Sequence, residues 1–381
     1  GRVLDFAGFR SLVAYRGCGT SVALWARPGL LRSLEGHTSA VVGVRFFPWG
    51  DRVLTWSEDA TAIIWDIASG AALHVLRHAG PVECGHVFPD GRNVVTCAGG
   101  GSTVWAAGTG EVVAALPAVG AVIARPSVEA MRVSRPVEVF PSGSRVLVLG
   151  GASREAFVWN VAAVESSCVL RGHTLGILAG SMLPGERAVT GGIDRQAIIW
   201  NASTCTRILS IPHSTWVTMV AALPGRDALA TLTSSGIMAV YSASTGECLR
   251  ALFKPRAGFV DAVATMAPFP SGELLLSSTP ASASIWNTTS GAKLRSLAHP
   301  SMWILSTAVS PGGDLVVTCG ACGVEVWDAA TGALVESLPS HGAGAACPVA
   351  VGLGSGLGFG RGVTWRELPG GPPTGVGAEI G

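Results

Sequence analysis

Apolar residues along this chain fall in short runs, each closed by a cluster of Gly, Ser, Asp or Pro. The stretch 37–77, HTSAVVGVRFFPWGDRVLTWSEDATAIIWDIASGAALHVLR, shows the pattern most fully. An apolar run from Val41 to Phe46 meets a turn at Pro48 and Gly50, and a second runs from Arg52 to Trp56. After a tight acidic turn, a third covers Ala62 to Trp65 and a fourth Ala72 to Leu76. Short runs rich in Val, Ile, Leu and Trp, punctuated by turn formers, predict four antiparallel strands joined by hairpins.

The unit recurs. Aromatic residues close a third strand at Trp25, Trp65, Trp105, Trp159, Trp200, Tyr241, Trp286, Trp327 and Trp365, with spacings of 40, 40, 54, 41, 41, 45, 41 and 38. A period near 41 across the chain predicts an array or a propeller. The first turn returns as Pro89-Asp90-Gly91, Pro141-Ser142-Gly143, Pro270-Ser271-Gly272 and Pro311-Gly312-Gly313. Pro presets the entry φ there, and Gly accepts the positive φ that completes the reversal. Pairs such as Ser69-Gly70, Thr109-Gly110 and Thr331-Gly332 mark the third-to-fourth-strand turn. The units run approximately 1–35, 36–77, 78–117, 118–171, 172–211, 212–253, 254–298, 299–339 and 340–368, followed by a Gly/Pro-rich tail at 369–381.

With these residues the chain resembles the WD-repeat family of β-propellers, over residues 1 to about 368. Trp65-Asp66 and Trp327-Asp328 match the family's Trp-Asp pair, and Trp159-Asn160, Trp200-Asn201 and Trp286-Asn287 come near it. Gly36-His37 and Gly172-His173 match its Gly-His pair, while His78, His213, His299 and His341 keep the His alone. The resemblance implies that the acidic residue six before Trp binds the preceding His, which reaches a hydroxyl and then the indole. Carried onto this chain, the structural tetrads are His37, Thr55, Asp59, Trp65 and His173, Thr190, Asp194, Trp200. The same His and Asp could serve catalysis or hold a metal, but the tetrads explain every spacing. Units 3, 4, 6, 7 and 8 lack the Asp, so their blades are expected to be the softer part of the ring.

The resemblance implies an all-β WD-repeat β-propeller of four-stranded antiparallel blades. Nine units lead to a nine-bladed ring as the first expectation, with eight blades plus an appended hairpin close behind and a segment of a double propeller as a third. Both ends offer inner strands, so exchange between them is not evident from sequence. The irregular linker 117–136 lies between units 3 and 4, and its inner strand falls within AVIA or RPVEVF. Such an insertion is either a binding element or a tolerated surface loop.

Of the 381 residues, 48% are apolar and only 13% charged, which calls for extensive packed layers. A net charge of +1, with lysines only at Lys254 and Lys293, argues against holding nucleic acid or membrane by bulk charge. No apolar run reaches the ~20 residues of a membrane helix. The start at Gly1, without a secretory signal, reads as a trimmed chain or a segment of something longer. Nine cysteines without framework spacing fit a reducing compartment.

Cys319-Gly320-Ala321-Cys322 has half a zinc site's spacing, yet no second pair follows, so two buried thiols are expected and no metal. The Gly-rich stretches 99–102 and 352–362 lack the Lys and helix of a phosphate loop and read as turns and thin strands. Trp216, Phe259 and Trp303 hold matched places after the His position in units 6, 7 and 8. They form either a docking arc or a plug for the channel mouth. Arg154 and Arg195 share the place five before Trp, near Arg125, Arg132 and Arg135 of the insert. They offer a contact for an acidic peptide, or a solvated rim whose charge Glu129, Glu155 and Asp194 blunt.

The expected function is a non-enzymatic, cofactor-free scaffold that binds a peptide or loop of another protein on the His/Asp-loop face. It would be a subunit or segment of a larger assembly, cytoskeletal, axonemal or ribonucleoprotein, in the cytoplasm or on the cytoskeleton. A nucleic-acid-associated propeller and an enzyme using the central channel are the alternatives.

Overall fold

The computed structural model describes residues 12–16, 20–26, 29–99, 101–116, 137–150, 154–161, 163, 165–254, 265–279, 282–298, 304–320, 323–339 and 349–352. The strands foreseen for the second unit form as Val41–Phe46, Arg52–Ser57, Thr61–Asp66 and Ala72–Arg77, hydrogen-bonded in that order from the inside of the ring outward. The described strands make eight four-stranded antiparallel sheets. Seven are built from four consecutive strands, and their inner strands are Val41–Phe46, Val82–Val87, Val137–Val139, Ile177–Leu183, Val217–Ala222, Thr265–Pro268 and Ile304–Val309. We number these blades 2 to 8 in chain order. The inner strand of blade 4 lies within RPVEVF.

The remaining sheet, blade 1, draws on both ends of the chain. From outside to inside it runs Gly29–Glu35, Ser21–Ala26, Leu12–Arg16 and Val349–Gly352, with Val13 paired to Val351 and Tyr15 to Val349. The late strand also packs against the inner strands of blades 8 and 2, which closes the ring. This corrects the nine-bladed expectation and the appended hairpin alike. Counting aromatics scores the two ends as separate units, whereas hydrogen bonding makes them one sheet. An inner strand left unpaired would expose its backbone, and the opposite end supplies the missing partner.

Apolar residues pack in the spaces between blades. Phe47, Leu54, Trp56, Ile64 and Leu76 of blade 2 meet Val82, Val87, Val94 and Trp105 of blade 3 in one buried cluster. Trp56 is clamped between two glycines: a Cβ on Gly43 would lie 2.0 Å from its ring, and one on Gly85 of the next blade 2.6 Å. Only glycine lets the indole fill that space. In blade after blade the third-to-fourth-strand ladder slips by one residue just before the recurring aromatic position, as between Ile64 and Trp65 or Ile199 and Trp200. Such bulges add twist, which helps each sheet stack on a rotated neighbour. Among the described residues no helix is long and apolar enough to cross a membrane.

Candidate functional site

The loops joining one blade's outer strand to the next blade's inner strand share a face with the turns between second and third strands. On that face the two foreseen tetrads form. The Asp59 carboxylate accepts at 2.9 Å from His37 Nδ1, which fixes the imidazole proton there. His37 Nε2 lies 2.7 Å from Thr55 Oγ1, and Trp65 Nε1 donates to that same oxygen at 2.8 Å. In blade 5 the matching distances are 2.8 Å for His173 Nδ1 to Asp194 Oδ2, 2.8 Å for His173 Nε2 to Thr190 Oγ1 and 2.8 Å for Trp200 Nε1 to Thr190 Oγ1. The Gly before each His has a packing reason: a Cβ on Gly36 or Gly172 would stand 2.9 Å from the Cη2 atom of Trp65 or Trp200.

Charge within these networks is governed by burial and by donors. Burial opposes ionisation of Asp59, but hydrogen bonds from Thr61, the Thr38 amide and His37 outweigh it and bring its pKa down to about 2. Burial works the same way at Asp194, where His173 and the Thr174 and Gln196 amides again win and lower the pKa. His37 is pushed down by burial, with Asp59 offsetting only part of the effect. These carboxylates and imidazoles bond one another and are screened from solvent, so the polar groups of the tetrads are committed to locking loops.

Partial networks survive elsewhere. His78 Nε2 lies 3.0 Å from Thr96 Oγ1, to which Trp105 Nε1 donates at 2.7 Å. Trp286 donates to Ser277 at 2.9 Å and Trp327 to Thr318 at 2.9 Å. In blade 6, His213 Nε2 is 3.0 Å from Thr231 Oγ1, and Ser235, standing in the acid's place, meets Thr215 at 3.0 Å.

Trp216 lies on the tetrad face, 39% exposed, with its carbonyl accepting from the Ser234 amide at 2.8 Å. Phe259 and Trp303 fall outside the described residues, as do the insert 117–136 and Cys322. Arg154 and Arg195 are both exposed, at φ of 65° and 64°, in matching turns of adjoining blades. Cys319 is fully buried, but it is disulfide-bonded and not the free thiol that was expected. Among the described residues no group of three His, Cys, Asp or Glu is placed to hold a metal ion.

Two features escaped the sequence reading. Arg45, His86 and Glu138 stand on the inner strands of blades 2, 3 and 4, all buried, with Arg45 Nη1 2.7 Å and Glu138 Oε2 3.3 Å from His86 Nε2. Burial, with the Arg45 charge, lowers the His86 pKa. Charged residues inside strands foreseen as apolar were the available signal. The cysteines are the second feature. Reduced thiols were expected, yet Cys84 is bonded to Cys97 and Cys168 to Cys205, the latter joining the outer strand of blade 4 to a turn of blade 5.

Comparison with known proteins agrees with this geometry. The family model described as WD domain, G-beta repeat, matches residues 29–66 and 291–328. Zinc finger CCCH domain-containing protein 48 of Arabidopsis thaliana is 42% identical over 55 residues, 14% of this chain and 13% of that protein. Angio-associated migratory cell protein of Homo sapiens is 32% identical over 78 residues, 19% of this chain and 18% of that protein. The matches thus span less than a fifth of those relatives. The crystal structure of the computationally designed Ika8 protein superposes with a TM-score of 0.65 at 20% identity, covering 83% of this chain and 93% of that one, a likeness of fold alone.

Proposed function

We propose, from the premise that this chain is a WD-repeat β-propeller, that it works as a non-enzymatic scaffold whose tetrad face docks another protein. The observation that carries the reading is Trp216, a large aromatic left 39% exposed on a loop whose backbone is tied down. Aromatics held rigidly at a surface lose little entropy on binding and dominate interaction hot spots. His37, His173, Asp59 and Asp194, groups suited to acid–base chemistry, are consumed by the two tetrads, which supports a binding role over a catalytic one. The fold alone would not choose between them.

Affinity capture with the intact chain, followed by reconstitution with the purified partner, tests the reading. Trp216→Ala is expected to weaken that complex at least about tenfold while leaving the melting temperature unchanged. A partner that binds the variant as tightly as the parent would place docking elsewhere.

A further inference from the structure

Among the described residues the tetrad face is electrically lopsided, and the imbalance has a structural cause. Arg154 and Arg195 occupy the same turn position in blades 4 and 5, and Arg171 ends the outer strand of blade 4; all three are exposed. Of the three acidic residues named for this sector, Glu155 and Asp194 are among the described residues. Asp194, however, is turned inward, its side chain only 3% exposed and held by His173 and the Thr174 amide. Among the described residues of this sector, Glu155 reaches a guanidinium, at 3.1 Å from Arg171 Nε. Across the ring, the exposed charges of blades 1 and 2 on this face include Glu35 and Glu58 beside Arg77.

The backbone at these turns adds a second observation. A φ near +65° is costly for a residue with a Cβ and natural for glycine, and Gly236 holds this very position in blade 6 at 78°. Blades 4 and 5 instead keep a long cationic side chain there. Apolar surface adjoins it. Thr174, whose amide bonds Asp194, precedes Leu175, which is 45% exposed. On the other side the His213 amide donates to the Arg195 carbonyl at 2.8 Å, three residues before Trp216.

We propose that blades 4 to 6 of this face bind an acidic protein segment that also carries large apolar side chains. Arg154, Arg171 and Arg195 take its carboxylates, while Leu175 and Trp216 take its apolar groups. The inference rests on the reading of this face as the docking face and gives the partner its chemistry. An extended nucleic acid fits less well: the cationic patch is short, apolar groups flank it, and Glu35 and Glu58 would repel a phosphate backbone crossing the face.

The test uses fluorescence anisotropy with the full chain and a labelled peptide alternating Asp and Leu. The variant carries Arg154→Gly and Arg195→Gly together, substitutions that suit the positive φ and so preserve the fold, as an unlowered melting temperature will verify. The double variant is expected to bind about tenfold more weakly, and added salt to weaken the parent toward it. Equal affinity for parent and variant, no binding of the peptide, or tighter binding of a single-stranded oligonucleotide would each overturn the proposal. A peptide with Asn replacing Asp separates the two levels. If it binds as tightly as the acidic one, and Trp216→Ala abolishes both, the arginine assignment fails while the docking face stands.

Discussion

Val148 holds the strand position in blade 4 from which five other blades offer a hydroxyl to the tryptophan, and the indole nitrogen of Trp159 is buried without a hydrogen-bond partner. An unsatisfied buried donor costs about 1–3 kcal/mol. Val148→Thr should therefore be neutral or stabilising by up to about 1 kcal/mol in denaturant melts, the new bond offsetting the desolvated hydroxyl. Val146→Thr, fully buried in the same strand, serves as the control and should destabilise by about 1–3 kcal/mol. Equal losses for the two would show that the Trp159 donor is satisfied by another route.

Asp59→Ala strips the acid from a complete tetrad and leaves the buried His37 Nδ1 proton only the Thr61 hydroxyl, at 3.1 Å, in place of its carboxylate acceptor. A loss of about 1–3 kcal/mol is expected. Ser235→Ala, at the acid's place in blade 6, removes hydroxyl contacts with Thr215 and with the buried Thr233 but strands no charged or imidazole group, and should cost under about 1 kcal/mol. Chemical unfolding of the two variants side by side decides the matter.

Stability should decline in mild acid. Burial lowers the pKa of His37, His78, His86 and His213 below the ordinary 6.5. The unfolded chain therefore takes up protons first, so stability present above 6.5 is lost as the pH falls toward the folded values. Asp59 adds a second decline of the same sign, from 3.8 down through about 2. Thermal melts at neutral and mildly acidic pH read the first step, and an unchanged melting temperature would mean these histidines are not held neutral.

The bond between Cys168 and Cys205 closes a loop of 37 positions and crosses from one blade to the next. Cross-links of this span contribute about 2–4 kcal/mol. Cys205→Ser should lower the melting temperature of the oxidised protein, and the gap to the parent should close once both are fully reduced. A gap that persists under reduction would point to packing as the cause.

Gly85→Ala probes the clamp around Trp56. A Cβ placed 2.6 Å from that indole forces a buried ring to move, at about 1–3 kcal/mol. Gly80→Ala, with nothing within 4 Å of its added carbon, should change stability little.

Much of this architecture could be read from the chain, because a strand's pattern and a turn's chemistry are local. The four strands of blade 2 appear where their apolar runs lie, and both full tetrads connect as the family resemblance implied. What could not be read depends on distant parts meeting. Nothing in Leu12–Arg16 announces that its inner neighbour is Val349–Gly352, since either apolar run would suit many partners. The Arg45–His86–Glu138 line escaped notice for a similar reason: each residue looks like an isolated polar intruder until three inner strands are set side by side. At the candidate docking face the sequence placed Arg195 and Asp194 together, but not the inward turn of the carboxylate that leaves the guanidinium unopposed.

The shared sheet of blade 1 also sets a clock on synthesis. Its first strands leave the ribosome early, and their inner partner is made more than 300 residues later. At roughly 5–20 residues per second, the Leu12–Arg16 edge waits on the order of 15–70 s for Val349–Gly352. Throughout that interval the nascent chain carries an open strand edge that any neighbouring polypeptide could pair with. Crowding of ribosomes on one message, or a pause late in translation, should therefore lower the yield of native rings without altering a single contact in the finished protein.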